Sequence, residues 1–276
     1  MRLPFKKNVG SVALSHPAPA KLPKLAQSDL AALYRAARVG GDFFEFVQVG
    51  DNRLIFALID IAGRRDQALH IAASVQEGLR KLAPMMFDKS DMNEADAVTE
   101  LVLQINNIIL AAANGVRCSP GFVGCYNESI GIISYINAGH LAALVRDNSG
   151  VATLEASGLP LGLFSHATHD CQVCVLPEGG ALLLASRGLL EVRGGSEEYG
   201  LDRLKQNLRE ANSTSAHELC AAVLRNVSEF VEQQKRRRFL GLIGVNPTVE
   251  GDSLGENDIT AVALVRAAAR SGAAAR

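Results

Sequence analysis

The sequence predicts an α+β domain built mainly on antiparallel sheet. Two observations carry this. Short apolar runs come in pairs joined by turn-forming residues, as hairpins do. Helical periodicity comes in two consecutive pairs of stretches instead of alternating with single strands, which argues against a doubly wound parallel fold. No internal repeat and no break in composition divides the chain. One domain is expected over residues 22–267, after a flexible lead-in (1–21) and before a flexible tail (268–276).

In chain order, Phe43, Phe44, Phe46, Val47 and Val49 form a strand-like run. Gly50, Asp51 and Asn52 signal a turn, and 54–59 is a second apolar run. Together they read as a hairpin. Ala68, Ala72, Val75, Leu79 and Leu82 recur at helical spacing. So do Val98, Leu101, Val102, Ile105, Ile108, Ile109 and Ala112. Both stretches therefore predict amphipathic helices. Strands are expected again at 121–126, 131–136 and 141–145, with turns at 127–129 and 139–140, and at 170–176 and 181–185. Helices at 201–210 and 216–234 precede a last strand at 259–265, and the Ala-rich tail is expected to fray.

Composition narrows the function. The 276 residues are 48% hydrophobic, enough for a sizeable core, and carry a net charge of −1. That balance argues against nucleic acid or an acidic membrane reached through bulk charge. No long uncharged apolar run predicts a membrane span. Five cysteines, an odd number, in a chain of this size point to a reduced, cytoplasmic protein.

The first hairpin makes a geometric prediction. Centred on Asp51, it pairs residues whose numbers sum to 102, and Asp42 and Asp60 satisfy this. Two carboxylates would then face each other about 5 Å apart at Cβ and repel. A hard divalent cation or a basic side chain would remove that penalty. Gly40, Gly41 and Gly63 leave room for close backbone approach. Two solvated strand ends are an equally good reading of the pattern alone.

The stretch 39–46 (Val-Gly-Gly-Asp-Phe-Phe-Glu-Phe) resembles the opening motif of the PPM metal-dependent protein phosphatases. The nearer likeness is to the bacterial branch typified by stage II sporulation protein E and the sigma-factor-regulating phosphatases. Asp60-Ile61-Ala62-Gly63, Asn137-Ala138-Gly139-His140, Gly158-Leu159-Pro160-Leu161-Gly162 and Asn257-Asp258-Ile259-Thr260 resemble its later motifs, in family order. The resemblance implies an α-β-β-α sandwich of two mainly antiparallel sheets flanked by helix pairs. It implies hydrolysis of phosphoserine or phosphothreonine by two Mn or Mg ions that activate a bridging water. Asp60 would bridge the ions, the Ile61 carbonyl would add a ligand, and Asp42 would bind directly or through water. The implied partner is a phosphorylated regulator of the anti-sigma-factor-antagonist type.

The sequence departs from that pattern at the other two ligands. The strand at 181–185 runs into Ser186-Arg187-Gly188 where the family has an aspartate, with Glu191 in the family's register. Asn257 opens the terminal motif, and strand alternation would turn its neighbour Asp258 to the opposite face. Arg64-Arg65 replaces the usual His-Gly, and Gly124 the usual Thr. The replaced ligands raise the formal charge of the site by three. A +2 ion about 5 Å from Arg187 would be repelled by roughly 6–7 kcal/mol at an effective dielectric of about 20. Arg187 is alternatively expected to take the metal's place between Asp42 and Asp60. The function expected is a catalytically impaired phosphatase fold used as a phosphoprotein regulator. The alternative is an active Mn/Mg phosphatase with altered coordination.

Other features read as structural. Cys171 and Cys174 match C-x-x-C, but three apart on a strand they face opposite sides. His140 reads as a turn-stabilising residue, His166 and His169 as solvated loop residues, and the run 235–238 as a basic helix end.

Overall fold

The computed structural model describes residues 16–36, 41–88, 91–211, 213–241 and 257–268. Gly40, most of the lead-in and nearly all of the tail lie outside these residues. The elements in order are β1 (Ser28–Arg35), β2 (Asp42–Val49), β3 (Arg53–Asp60), α1 (Arg65–Phe87), α2 (Glu94–Ala113), β4 (Gly121–Asn127), β5 (Ile132–Ala138), β6 (Ala142–Asp147) and β7 (Gly150–Thr153). There follow β8 (Gln172–Val175), β9 (Ala181–Ala185), α3 (Arg187–Leu190), β10 (Arg193–Gly194), β11 (Glu197–Glu198), α4 (Gly200–Glu210), α5 (Ala216–Gly241) and β12 (Ile259–Arg266).

Two five-stranded antiparallel sheets form the centre, ordered β2-β3-β4-β5-β8 and β1-β12-β9-β6-β7. Their facing sides bury Phe56, Leu58, Phe122, Tyr126 and Tyr135 against Val145, Leu182, Leu184, Val262 and Leu264. The outer face of the first sheet, through Ile59, Val123, Cys125 and Ile136, packs on α1 and α2. The outer face of the second, through Leu144, Leu183 and Ala263, packs on α4 and α5. This is the expected α-β-β-α sandwich. Because both faces of each sheet are covered, central strands such as β4 are buried at every position and read as continuous apolar runs.

The helices form where the periodicity placed them. In α1, Ala68, Ala72, Val75, Leu79 and Ala83 line the buried stripe. The side chain of Asn93 caps α2, accepting from Ala95 N at 2.9 Å. By length and composition α2 could cross a membrane. Here Val98, Leu101, Val102, Ile105 and Ile109 are buried in the core between helices and sheet. The basic run at 235–238 falls inside α5, which continues to Gly241.

Part of the lead-in is held against the body. Gln76 accepts from Ala18 N at 2.8 Å and donates to Ala18 O at 2.7 Å. It also donates to the buried Glu45 carboxylate, which pairs with Arg80 at 2.8 Å. Glu128 accepts from the backbone N–H groups of Ala26 and Gln27.

Candidate functional site

The hairpin register is the one the numbering predicts: Asp42 pairs with Asp60 across β2 and β3. Ile61 N donates to Gly41 O at 2.8 Å, continuing the closure past the strand ends. A Cβ on Gly41 would stand 2.5 Å from Ile61 O and 3.4 Å from Asp60 Oδ1. Only glycine lets the two segments approach this closely.

Asp42 is drawn between the sheets. Thr260 Oγ1 donates to its Oδ2 at 2.6 Å, and the Ser186 hydroxyl, which donates to Asp258 O at 3.3 Å, lies close by. Burial lifts the Asp42 pKa from 3.8 to about 7; the two hydroxyls oppose the shift, and Asp60 and Asp258 add to it. Burial raises the Asp60 pKa too, opposed by Arg187 and reinforced by Glu191 and Asp258.

Asp258 stands differently from the alternation argument. The regular strand begins only at Ile259, so Asn257 and Asp258 both line the same cavity. Asp258 is buried and accepts at Oδ2 from Tyr34 OH at 2.9 Å and from Gly41 N at 3.1 Å. Burial and this carboxylate raise the Tyr34 pKa and keep its proton in place.

Arg187 does not bridge Asp42 and Asp60. Its Nε donates to Glu191 Oε1 at 2.6 Å, one turn along α3, and its side chain is 58% exposed. Glu191 Oε2 accepts from Asn257 Nδ2 at 3.3 Å. One glutamate thus ties together the two residues that stand at expected aspartate positions. Water and Glu191 screen the guanidinium further, so its repulsion of a cation is well below the figure for an unpaired, half-buried arginine.

Asp60, Ile61, Ala62, Gly63, Arg187, Gly188, Asn257, Asp258 and Gly41 enclose a cavity of about 240 Å³. The expected Asp60, Ile61, Arg187, Asn257, Asp258, Gly41 and Gly63 are therefore together, while Asp42 sits behind the wall beside Thr260. Arg65 lines a smaller neighbouring cavity with Pro17, Tyr34, Asp42 and Asp258. Among the described residues, no group of three or more His, Cys, Asp and Glu side chains converges as a metal-binding cluster.

Sequence reasoning assigned no role to Tyr34, Ser186, Thr260 or Arg117. Thr260 and Ser186 stood in quoted stretches; Tyr34 and Arg117 carried no local signal, because their partners are distant in the chain. His140 is the expected turn residue: its N–H donates to Asn137 Oδ1 at 2.7 Å. His169 is buried, not solvated, with Nε2 2.8 Å from Leu159 O, in space that Gly158 leaves free. Cys171 packs toward the helix-side core and Cys174 toward the core between the sheets.

IcfG from Synechocystis is 23% identical over 216 residues, 69% of this chain and 33% of that protein. The chain thus spans about a third of that relative's length. The PP2C phosphatase domain and regulatory fragment of SpoIIE from Bacillus subtilis align with a TM-score of 0.63 at 16% identity, covering 88% of this chain and 64% of that one. The RsbU and RsbW domains of Rv1364c from Mycobacterium tuberculosis give 0.61 at 22% identity, covering 89% and 63%. At these identities the likeness shows a shared fold. The family model of Stage II sporulation protein E (SpoIIE) matches residues 50–237, well over half of the 276. The chain belongs to the SpoIIE family and has the fold of its PP2C phosphatase domains.

Proposed function

We propose that this chain is a regulatory SpoIIE-family domain that recognises a phosphorylated protein and has lost most or all phosphoester hydrolysis. The observation that carries this reading is the Glu191 clasp: Arg187 and Asn257, bound to one carboxylate, occupy the rim where the family resemblance calls for aspartates. The donor set is also short. Divalent magnesium or manganese ions each require about six oxygen ligands. The cavity offers Asp60 and the Ile61 carbonyl. Asp258 already accepts from Tyr34 and Gly41, and Asp42 from Thr260. These residues do not fit a two-ion centre. The partner fitting this reading is a phosphorylated regulator of the anti-sigma-factor-antagonist type.

A second reading is favoured by Asp42 and Asp60 themselves. Both have raised pKa values, and a cation beside them would relieve their mutual repulsion. On that reading the chain is an Mn- or Mg-dependent serine/threonine phosphatase with altered coordination. Calorimetric titration with Mn and turnover of an aryl phosphate separate the two. Low-micromolar Mn binding with turnover would sink the regulatory reading. The expected result is weak or absent Mn binding and no turnover, with both gained by Arg187→Asp combined with Asn257→Asp.

A further inference from the structure

Among the described residues, the two sheets of the sandwich end in the edge strands β2 and β8 and the edge strands β1 and β7. An edge presents unpaired backbone N–H and C=O groups, and charge or proline ordinarily keeps other chains from pairing with it. β2 carries Asp42 and Glu45, and β1 carries Asp29 and ends on Arg35. β7 is uncharged, but its Val151 packs on the helix-side core of its own sheet. β8 has neither charge nor proline, and its Val173 and Val175 are 57% and 61% exposed.

The ladder with β5 fixes where the unused groups of β8 point. Val175 lies opposite Ile132, Cys174 opposite Ile133, Val173 opposite Ser134 and Gln172 opposite Tyr135. Leu176 N, one residue on, donates to Gly131 O at 2.7 Å. In an antiparallel pair, alternate residues turn both backbone groups toward the partner. Cys174 and Gln172 therefore share the direction of Leu176 and bond to β5. Val173 and Val175 aim their N–H and C=O groups away from the sheet, where no strand pairs with them among the described residues. Cys174 packs toward the core between the sheets, so the side chains of the two valines lie on the opposite, helix-bearing face.

A strand with this pattern is complementary to itself. In the antiparallel register that sets Val173 against Val175 of a second copy, a twofold axis passes between the two Cys174 residues. Each such pair exchanges two backbone hydrogen bonds, and the valines of both copies meet on one face. No charge opposes another. Sliding the register toward the C-terminal end brings in Pro177, which has no N–H to give. Sliding it the other way sets Val175 against Cys171 and leaves one valine pair instead of two.

We propose that this chain self-associates through β8, which pairs antiparallel with β8 of a second copy and joins the two five-stranded sheets into one continuous sheet. A strand of 4 residues buries less than the roughly 1,200 Å² of standard interfaces, so the association is weak and depends on concentration. β8 and β2 are opposite edges of the same sheet, and Asp42 lies on β2. Pairing at β8 therefore leaves the cavity accessible in both copies, whatever chemistry it performs.

The test is sedimentation equilibrium of the full chain, in reductant, over a wide concentration range, with amide hydrogen exchange read residue by residue at both ends of that range. A monomer–dimer equilibrium is expected. The Val173 and Val175 amides should gain protection only as the dimer forms, whereas those of Gln172 and Cys174 are bonded to β5 throughout. Val173→Lys with Val175→Lys puts like charges opposite each other and should weaken association about tenfold or more. Val173→Lys with Val175→Glu puts opposite charges together in the same register and should recover most of the loss. Both positions are exposed, so the folded chain tolerates either change. A monomer at every concentration, a dimer indifferent to the first variant, or protection of Val173 and Val175 that does not vary with concentration overturns the proposal. So does a second variant that associates no better than the first.

Discussion

Thr260 Oγ1 donates a 2.6 Å hydrogen bond to Asp42 Oδ2, joining residues 218 positions apart. The bond links β12 of one sheet to β2 of the other at the edge of the cavity. Ser186 supports it by accepting from Thr260 N at 3.0 Å. The seam between the sheets therefore runs directly behind the cavity wall.

Thr260→Val keeps the shape of the side chain and removes this donor from a buried carboxylate. Urea denaturation at pH 8 in EDTA should show a loss of about 1–3 kcal/mol. The loss should shrink at pH 5, where Asp42 is protonated in the folded state. Equal losses at both pH values would show that the Asp42 charge is not what Thr260 serves.

Asp42→Asn tests that charge directly. The folded-state pKa, about 7, lies above the ordinary 3.8. The stability linked to Asp42 is therefore fully present below about pH 4 and lost as pH rises through 7. Without metal, the Asn variant should be the more stable protein at pH 8, by about 2–4 kcal/mol, and should lose that advantage near pH 4. An advantage independent of pH would contradict the assignment.

His140 has the opposite sign. It is buried, its Nε2 has no hydrogen-bond partner among the described residues, and burial, opposed by the backbone at Ala142 and Ala185, lowers its pKa from 6.5 to about 4. The unfolded chain takes up the proton first, so stability should fall as pH drops from about 6.5 toward 4. At pH 5 the deficit should reach about 2 kcal/mol. Comparing Asp42→Asn with Asp42→Asn/His140→Gln isolates it. A slope between pH 7 and 5 that survives His140→Gln would exclude the histidine as its source.

Gly41→Ala should be costly although the change is one methyl group. The new Cβ meets the Ile61 carbonyl oxygen, which belongs to backbone and cannot rotate away. A loss of about 1–3 kcal/mol is expected, with weaker hydrogen-exchange protection at Ile61 N. Unchanged protection at Ile61 would show that this closure tolerates a side chain.

The sequence made legible what depends on short-range pattern. The pairing of Asp42 with Asp60 follows from one turn and the two-residue period, and it appears in the register. The helical stripes through Val75 and Ile105 follow from spacing in the same way. The strand at 181–185 came out residue for residue. β1 was harder to see. It is an edge strand of mixed burial, paired among the described residues only with β12 at the far end of the chain. β7 is four residues long, and α3 is one turn steadied by Arg187 and Glu191. In the site, the expected Arg187 bridge failed because α3 offers Arg187 a carboxylate four residues away, nearer than any aspartate across the cavity. The alternation argument for Asp258 failed because it assumed a strand that begins one residue later.

The pairing of β1 with β12 has a mechanical consequence. Ser28 lies opposite Arg266 at one end of this antiparallel ladder, and Tyr34 opposite Thr260 near the other. Tension between the segments flanking Ser28 and Arg266 would load the ladder one pair at a time, as a zipper opens. Opening would start away from the cavity. Tyr34 and Thr260 sit in the seventh of the eight pairs. The hydrogen bonds they give to Asp258 and Asp42 would therefore give way only after most of the edge strand had peeled, so modest pulling would leave the cavity in its resting shape.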